Sequence, residues 1–126
     1  AHGASGSNGS TPAQIQQGRA KAWVNFNGTG TVSIRDDFNV SSITDNGTGD
    51  YNVNFSSAMA NSDYSAVVSH SHDTPANGGS NTRQVGLMNT TYSTSAFRIT
   101  IELPNSSVGG SRSDSNRVTA AVFGDQ

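Results

Sequence analysis

The sequence predicts an all-β protein, an antiparallel β-sandwich of about eight short strands. From Lys21 onward, apolar and polar residues alternate with period two, which places the apolar residues of each run on one face of a strand. Segments rich in Gly, Asn, Ser and Thr separate these runs, as turns do between strands. No helical spacing interrupts the alternating runs, which favours two antiparallel sheets over a mixed α/β fold.

Residues 1–19 are predicted to be a connector that precedes a single β-sandwich domain of residues 20–126. The Gly/Ser-rich start, AHGASGSNGST, has the composition of a flexible linker from an upstream module. The segment that follows favours about one helical turn, with Thr11 as N-cap, Pro12 at the first helical position and Gly18 at its stop.

The first four predicted strands form two hairpins. Their apolar residues, in chain order, are Ala22, Val24 and Phe26; Val32 and Ile34; Phe38 and Val40; and Tyr51, Val53 and Phe55. The turn sequences NGTG at 27–30 and DNGTGD at 45–50 contain residues that tolerate positive φ, as tight hairpins require.

The distal half of the chain predicts four more strands. Their inward residues are Tyr64, Ala66 and Val68, followed by His70 and His72; Val85 and Leu87; Phe97, Ile99, Ile101 and Leu103; and Val118, Ala120 and Val122. Two long segments, 73–82 and 104–116, are rich in Gly, Ser and Asn and are predicted to be exposed loops.

Composition limits the classes of function. Only 32% of residues are apolar, so we expect a thin core and a gain in stability from association with further copies. There are 7 Lys and Arg residues and the net charge is -2, which argues against a nucleic-acid partner. No apolar run is long enough to insert into a membrane, and without cysteines there is neither a disulfide nor a thiolate metal site.

The sequence His70-Ser71-His72 offers a candidate metal site. Period two sends both imidazoles to one face of the strand, but two nitrogen ligands do not complete a site. Three copies around a three-fold axis would supply six imidazoles to a transition metal such as Fe, Ni or Zn. The alternative is a pair of exposed histidines at the end of a strand, beside Asp73.

Other polar groups suggest chemistry only weakly. The carboxylates of Asp45 and Asp50 flank two glycines and could bind calcium, but their spacing fits a hairpin turn better than an EF-hand. The carboxylates available for glycoside hydrolysis are those of Asp36, Asp37, Asp63 and Glu102. A chain of 126 residues leaves little room for a cleft, and it has no GxSxG elbow, so we expect no enzyme.

Two aromatic residues, Trp23 and Tyr92, have side chains that could stack on sugar rings. A single Trp on a first strand is more typical of packing than of a sugar platform. We therefore expect Trp23 to lie in the core or in a contact between subunits.

The most specific pattern lies between Ser10 and Tyr64. It comprises the runs KAWVNFNGT at 21–29, IRD at 34–36, FNVSS at 38–42 and DNGTGDY at 45–51. These runs resemble a module found near the C-terminal end of bacteriophage tail fibre proteins, especially those of marine and cyanobacterial phages. The resemblance covers a little under half of the chain.

The resemblance implies a virion structural protein: an extracellular, homotrimeric tail-fibre domain that contacts other virion tail proteins and acts in host attachment. The implied receptor is a bacterial cell-surface polysaccharide, and we expect the contacts on the loops 73–82 and 104–116. A purely structural connector or capsid-decorating module without receptor contact is the main alternative. A fibre-borne polysaccharide depolymerase is a weaker one.

Overall fold

The structure is a computed structural model that describes residues 9–71, 84–103 and 111–126. One helix and nine strands lie in these residues: α1 (Pro12–Gly18), β1 (Ala22–Asn27), β2 (Ser33–Phe38), β3 (Val40–Gly47), β4 (Asp50–Phe55), β5 (Ser65–Ser71), β6 (Gln84–Leu87), β7 (Ala96–Leu103), β8 (Ser111–Arg112) and β9 (Arg117–Phe123). A 3₁₀ turn at Asn89–Thr91 precedes β7.

The strands form two antiparallel sheets, which confirms the all-β prediction and gives the arrangement expected for a sandwich. The first sheet has the strand order β2-β1-β9-β5 and the second the order β3-β4-β7-β6. Both predicted hairpins, β1 with β2 and β3 with β4, are present. The short β8, which the sequence did not predict, pairs with the end of β7.

The core lies between the two sheets and is formed by the inward residues of both. The first sheet contributes Val24, Phe26 and Val122, and the second contributes Tyr51 and Ile99, all of them 2% exposed or less. The rings of Phe26 and Tyr51 meet edge to face, with centroids 5.2 Å apart, so aromatic packing joins the two sheets directly.

Helix α1 is closed at its N-terminus by a capping box, as the Thr11-Pro12 sequence predicted. The Gln14 amide donates to Thr11 Oγ1, and the Gln14 side chain accepts from the Thr11 amide. The helix buries none of its residues, so it is attached to the sandwich rather than part of its core. Neither helical segment in the described parts of the chain is long and apolar enough to cross a membrane.

A single residue, Asn39, carries the chain from the first sheet to the second. The prediction that Phe38 and Val40 share a strand is wrong: β2 ends at Phe38 and β3 begins at Val40. Asn39 has φ 57, in the left-handed region that Asn adopts more readily than most residues. Its Nδ2 lies 3.1 Å from the carbonyl oxygens of Lys21 and Ser57, and its Oδ1 accepts from the Ser57 amide at 2.7 Å.

The sandwich has two distinct ends. The chain enters β1 beside Lys21 and leaves β9 at the same end, where the Lys21 amide donates to the Val122 carbonyl at 2.7 Å. We call this the α1 end. The opposite end, which we call the loop end, comprises the turns 28–32 and 48–49 and the segment 113–116.

Candidate functional site at the loop end

The strands that flank both predicted receptor loops end on the same side of the sandwich. Strand β5 ends opposite Arg117, the first residue of β9, and β6 begins opposite Glu102 near the end of β7. Strand β8 begins opposite Leu103, the last residue of β7. Segment 73–82 and residues 104–110 lie outside the described residues, but the strands before and after each of them converge on the loop end. The prediction that 104–116 is one exposed loop is wrong for its described part, 111–116, which contains β8 and the buried Ser115.

The Tyr51 side chain ties three loop-end segments together. Its hydroxyl lies 2.8 Å from both the Gly28 carbonyl oxygen and Asp114 Oδ1, and it donates to one of these acceptors at a time. The Gly49 amide donates to the same Asp114 oxygen at 2.8 Å, and the Gly28 amide donates to the Ser115 carbonyl at 2.9 Å. Burial, together with the neighbouring Asp114 carboxylate, raises the pKa of Tyr51 and keeps the phenol protonated.

Gly49 allows the turn between β3 and β4 to approach β7 and the segment before β9. It adopts φ 62, and a Cβ atom there would lie 2.6 Å from the Ile101 carbonyl oxygen and 2.7 Å from that of Ser113. A side chain at this position would push the turn away from its neighbours.

A buried carboxylate joins three strands of the second sheet beside this turn. Asp50 is 3% exposed and accepts from Arg98 Nε at 2.6 Å and from Arg112 Nη1 at 3.0 Å. The hydrogen bond from Arg98 lowers the pKa of Asp50 against the opposing effect of its burial, and the charges of both arginines add to this. The Asp50 carboxylate thus binds two guanidinium groups. This supports a structural role for Asp50 in the hairpin turn rather than a role as a calcium ligand.

The outer face of the second sheet is covered by hydrogen-bonded polar side chains. Asn54 Nδ2 donates to Thr44 Oγ1 at 2.9 Å and lies 3.1 Å from Ser42 Oγ, and Asn46 Nδ2 donates to Asn52 Oδ1 at 3.0 Å. These bonds connect β3 with β4 along the strands. The face therefore presents amides and hydroxyls held in fixed positions, up to the buried carboxylate at the loop end.

The structure places one of the two candidate metal ligands. His70 is paired with Val118, so it lies on the inward side of β5, and its Nδ1 is 3.3 Å from Ser115 Oγ. His72 lies outside the described residues. Within 9–71, 84–103 and 111–126, no three His, Asp or Glu side chains form a group that could hold a metal ion. A shared transition metal on a three-fold axis stays a prediction. Because His70 is inward, an axis that holds this metal cannot run along the outer face of the first sheet.

The carboxylates considered for glycoside hydrolysis are spread over the fold. Asp36 is on the outer face of the first sheet, opposite Asn25, whereas Glu102 is on the outer face of the second, next to buried Ile101. Asp63 lies in the segment before β5, near the α1 end. Asp36 and Glu102 therefore face away from each other, and the fold does not bring them together as an acid and a nucleophile.

The two aromatic residues considered as sugar platforms differ in their surroundings. Tyr92 is partly buried, packs edge to face on Tyr64 with centroids 5.3 Å apart, and stacks on Phe97 at 6.4 Å. Trp23 is 38% exposed on the outer face of the first sheet, so it does not belong to the core.

Sequence reasoning missed the groups that hold the loop end together. Asp50 and Arg98 are 48 residues apart, and Tyr51 and Asp114 are 63 apart. Only the register of β4 with β7, which pairs Asn52 with Arg98, brings the first two together. The available signal in the sequence was the position of the charged residue Asp50 next to a hairpin turn. That position does not identify the residue that pairs with it.

Comparison with protein-family models, with curated proteins and with solved structures finds no match for this chain.

Proposed function

We propose that this chain is the distal domain of a bacteriophage tail fibre, a homotrimeric, non-enzymatic virion protein that attaches to a host surface polysaccharide. The resemblance of residues 10–64 to tail-fibre modules suggests this class of protein. The observation that carries the proposed role is the convergence on the loop end of all the strands that flank segments 73–82 and 104–110.

The bonds beneath these segments suit a scaffold for recognition. Tyr51 and Asp114 join the hairpin turn of the first sheet to that of the second, and Asp50 joins β4 to β7 and β8 through two arginines. Variable loops on such a base can change in sequence without loss of the fold. Weak binding of single sugars would suffice, because several copies in one particle raise the effective concentration.

Cell binding by the purified chain tests this role. A fluorophore attached to an Asn61→Cys variant reports binding to a panel of cyanobacterial and other Gram-negative strains, since the chain has no cysteine of its own. In the test variant, residues 73–82 and 104–110 are replaced by Gly/Ser sequences of equal length. The control has only residues 1–8 replaced in the same way.

We expect the parent and the control to bind at least one strain and the loop variant to lose most of that binding. Equal binding by the loop variant would contradict receptor contact through these loops. Binding to no strain would favour the purely structural connector or decorating module. Release of reducing sugar from the polysaccharide of a bound strain would identify a depolymerase instead.

A further inference from the structure

An apolar row crosses the outer face of the first sheet. The register pairs Phe38 with Trp23, Trp23 with Ala121, and Ala121 with Val67, so one residue from each of β2, β1, β9 and β5 forms the row. Phe38 is 52% exposed, Trp23 38% and Val67 63%. Among the described residues, these are three of the four large apolar side chains that are exposed, and the fourth, Ile15, is on α1.

The two outer faces of the sandwich differ in character. The second sheet presents the hydrogen-bonded Asn, Ser and Thr side chains described above, and none of the exposed large apolar residues in the described ranges lies there. On the first sheet, the outward positions of β1, β9 and β5 next to the row are neutral: Asn25, Thr119 and Ser69. Aromatic residues that are flanked by neutral positions on three of the four strands suit an interface whose charges lie at its border.

We propose that this face is covered by further copies of the same chain, with the β2 edge of one copy against the β5 edge of the next. Phe38 of one copy then contacts Val67 of its neighbour. The choice of surface rests on the apolar row, whereas the number of copies, three, rests on the proposed function.

The row is complementary to itself. Its two aromatic residues lie on β2 and β1, and its two aliphatic residues, Ala121 and Val67, lie on β9 and β5. When the β2 edge meets the β5 edge of a neighbour, the aromatic half of one row packs on the aliphatic half of the other. Aromatic side chains on aliphatic ones fill such a contact without voids.

Charges at the border of the face are also complementary. Asp36 is outward and exposed on β2, and Arg117 is outward and exposed on β9, next to β5. Neither has an ion-pair partner within the described parts of its own chain. Bringing the β2 edge to the β5 edge of a neighbour places these opposite charges on the loop-end side of the apolar row, with Arg117 one strand in from the β5 edge and two residues along from the level of Asp36.

In this arrangement the three faces turn toward a common axis, and the strands run along it, with the loop end at one side and the α1 end at the other.

Engineered disulfides test the contact, because the natural chain contributes no competing thiol. The test protein is the full chain with both Phe38→Cys and Val67→Cys, oxidised under mild conditions and run on denaturing gels without reductant. The single-cysteine variants are the controls, since two copies of Phe38, or two of Val67, do not meet in the proposed arrangement. Light scattering of the unmodified chain gives the number of copies before cross-linking.

A covalent product of three times the 13.0 kDa chain mass, absent from both controls, is the expected result. A product that stops at twice the chain mass would support this face as the contact but contradict the three-fold count of the proposed function. No cross-link, or a monomer by light scattering at high concentration, would overturn the inference. Attachment to cells would still be judged separately by the loop exchange.

A second set of variants separates the interface from the fold. We expect Trp23→Gln to weaken the association of copies about tenfold. Light scattering should then give the mass of a single chain up to a concentration tenfold higher than for the parent. Ile15→Gln, which changes the exposed apolar residue outside the row, is the matched control and should leave the mass unchanged. A folded Trp23→Gln variant, judged by circular dichroism, that keeps the parent's mass would contradict the proposal.

Discussion

At the scale of single residues, Tyr51 combines packing with polar bonding. Its ring is part of the core, while its hydroxyl bonds to loop-end groups from two other segments. We expect Tyr51→Phe to lower the free energy of unfolding by about 1–2 kcal/mol, because it leaves the buried acceptors with one donor fewer. Urea denaturation measures the loss.

Tyr92→Phe is the matched control for this change. The Tyr92 hydroxyl has no hydrogen bond within the described residues, so we expect a change of less than about 0.5 kcal/mol. Equal losses in the two variants would mean that the Tyr51 hydroxyl does not hold the loop end.

Asp50 makes stability depend on pH. Its pKa is lowered in the folded state from the ordinary value of 3.8, chiefly by the hydrogen bond from Arg98. The contribution of the ionised Asp50 carboxylate to the free energy of unfolding is therefore fully present above about pH 4. It is lost as the pH falls through the folded-state pKa. We expect the melting temperature of the parent to fall below that pH, and thermal melts between pH 7 and pH 2 measure this.

The Asp50→Asn variant supplies the comparison. We expect it to be destabilised at pH 7 by about 2 kcal/mol, because two guanidinium groups lose a charged acceptor. The difference between parent and variant should shrink as the parent's carboxylate is protonated. A constant difference down to pH 2 would show that the Asp50 charge contributes nothing.

The candidate site could be predicted only in outline. Gly/Ser-rich composition identifies where the loops are, since such segments seldom form buried strands. The partners of Asp50 could not be predicted, because they depend on the register of β4 with β7 and of β7 with β8. Register is set by the packing of both sheets together, which a local pattern does not contain.

At the scale of elements, the alternation of apolar residues predicted the strands well and failed at one corner. Phe38 and Val40 continue the period of two, so they read as one strand. Phe38 points outward from the first sheet, whereas Val40 is buried in the second. The left-handed backbone of Asn39 turns the chain between them, so that the outward Phe38 is followed by the inward Val40. Counting apolar residues with period two cannot detect a change of sheet within one residue.

The Asn39 corner gives a prediction about the connection between the sheets. We expect Asn39→Ala to destabilise the fold by about 3 kcal/mol, since it loses the side-chain bonds and places Ala at φ 57. Asn39→Gly loses the same bonds without the backbone strain, so it should cost about 1 kcal/mol less. Urea denaturation of both variants checks the order, and an equal loss would exclude backbone strain as a factor.

At the scale of the whole molecule, the helix and the sandwich contribute unequally to stability. Helix α1 buries no residue, and the bond from Lys21 Nζ to the Gln16 carbonyl, 2.6 Å long, is one of its few ties to the strands. We expect a chain that starts at Arg19 to fold with a loss of about 1 kcal/mol. Thermal denaturation followed by circular dichroism measures it.

A chain that starts at Gly28 is the control for this truncation. It lacks β1, which lies between β2 and β9 in the first sheet and carries three core residues. We expect it not to fold. The predicted boundary between the connector, 1–19, and the domain, 20–126, would be contradicted if this control melted cooperatively. It would also be contradicted if the chain that starts at Arg19 did not melt cooperatively.

The pairing of β1 with β9 also determines how the domain responds to force. The first and last strands of the sandwich are antiparallel neighbours, from Ala22 opposite Val122 to Phe26 opposite Val118, and the chain enters and leaves at the same end. Tension between those two points would peel the strands apart one hydrogen bond at a time, the weakest way to load a sheet. A push against the loop end, by contrast, compresses all strands along their length. This geometry suits the proposed position at the tip of a fibre, which is pressed against a surface, better than a position in a chain under tension.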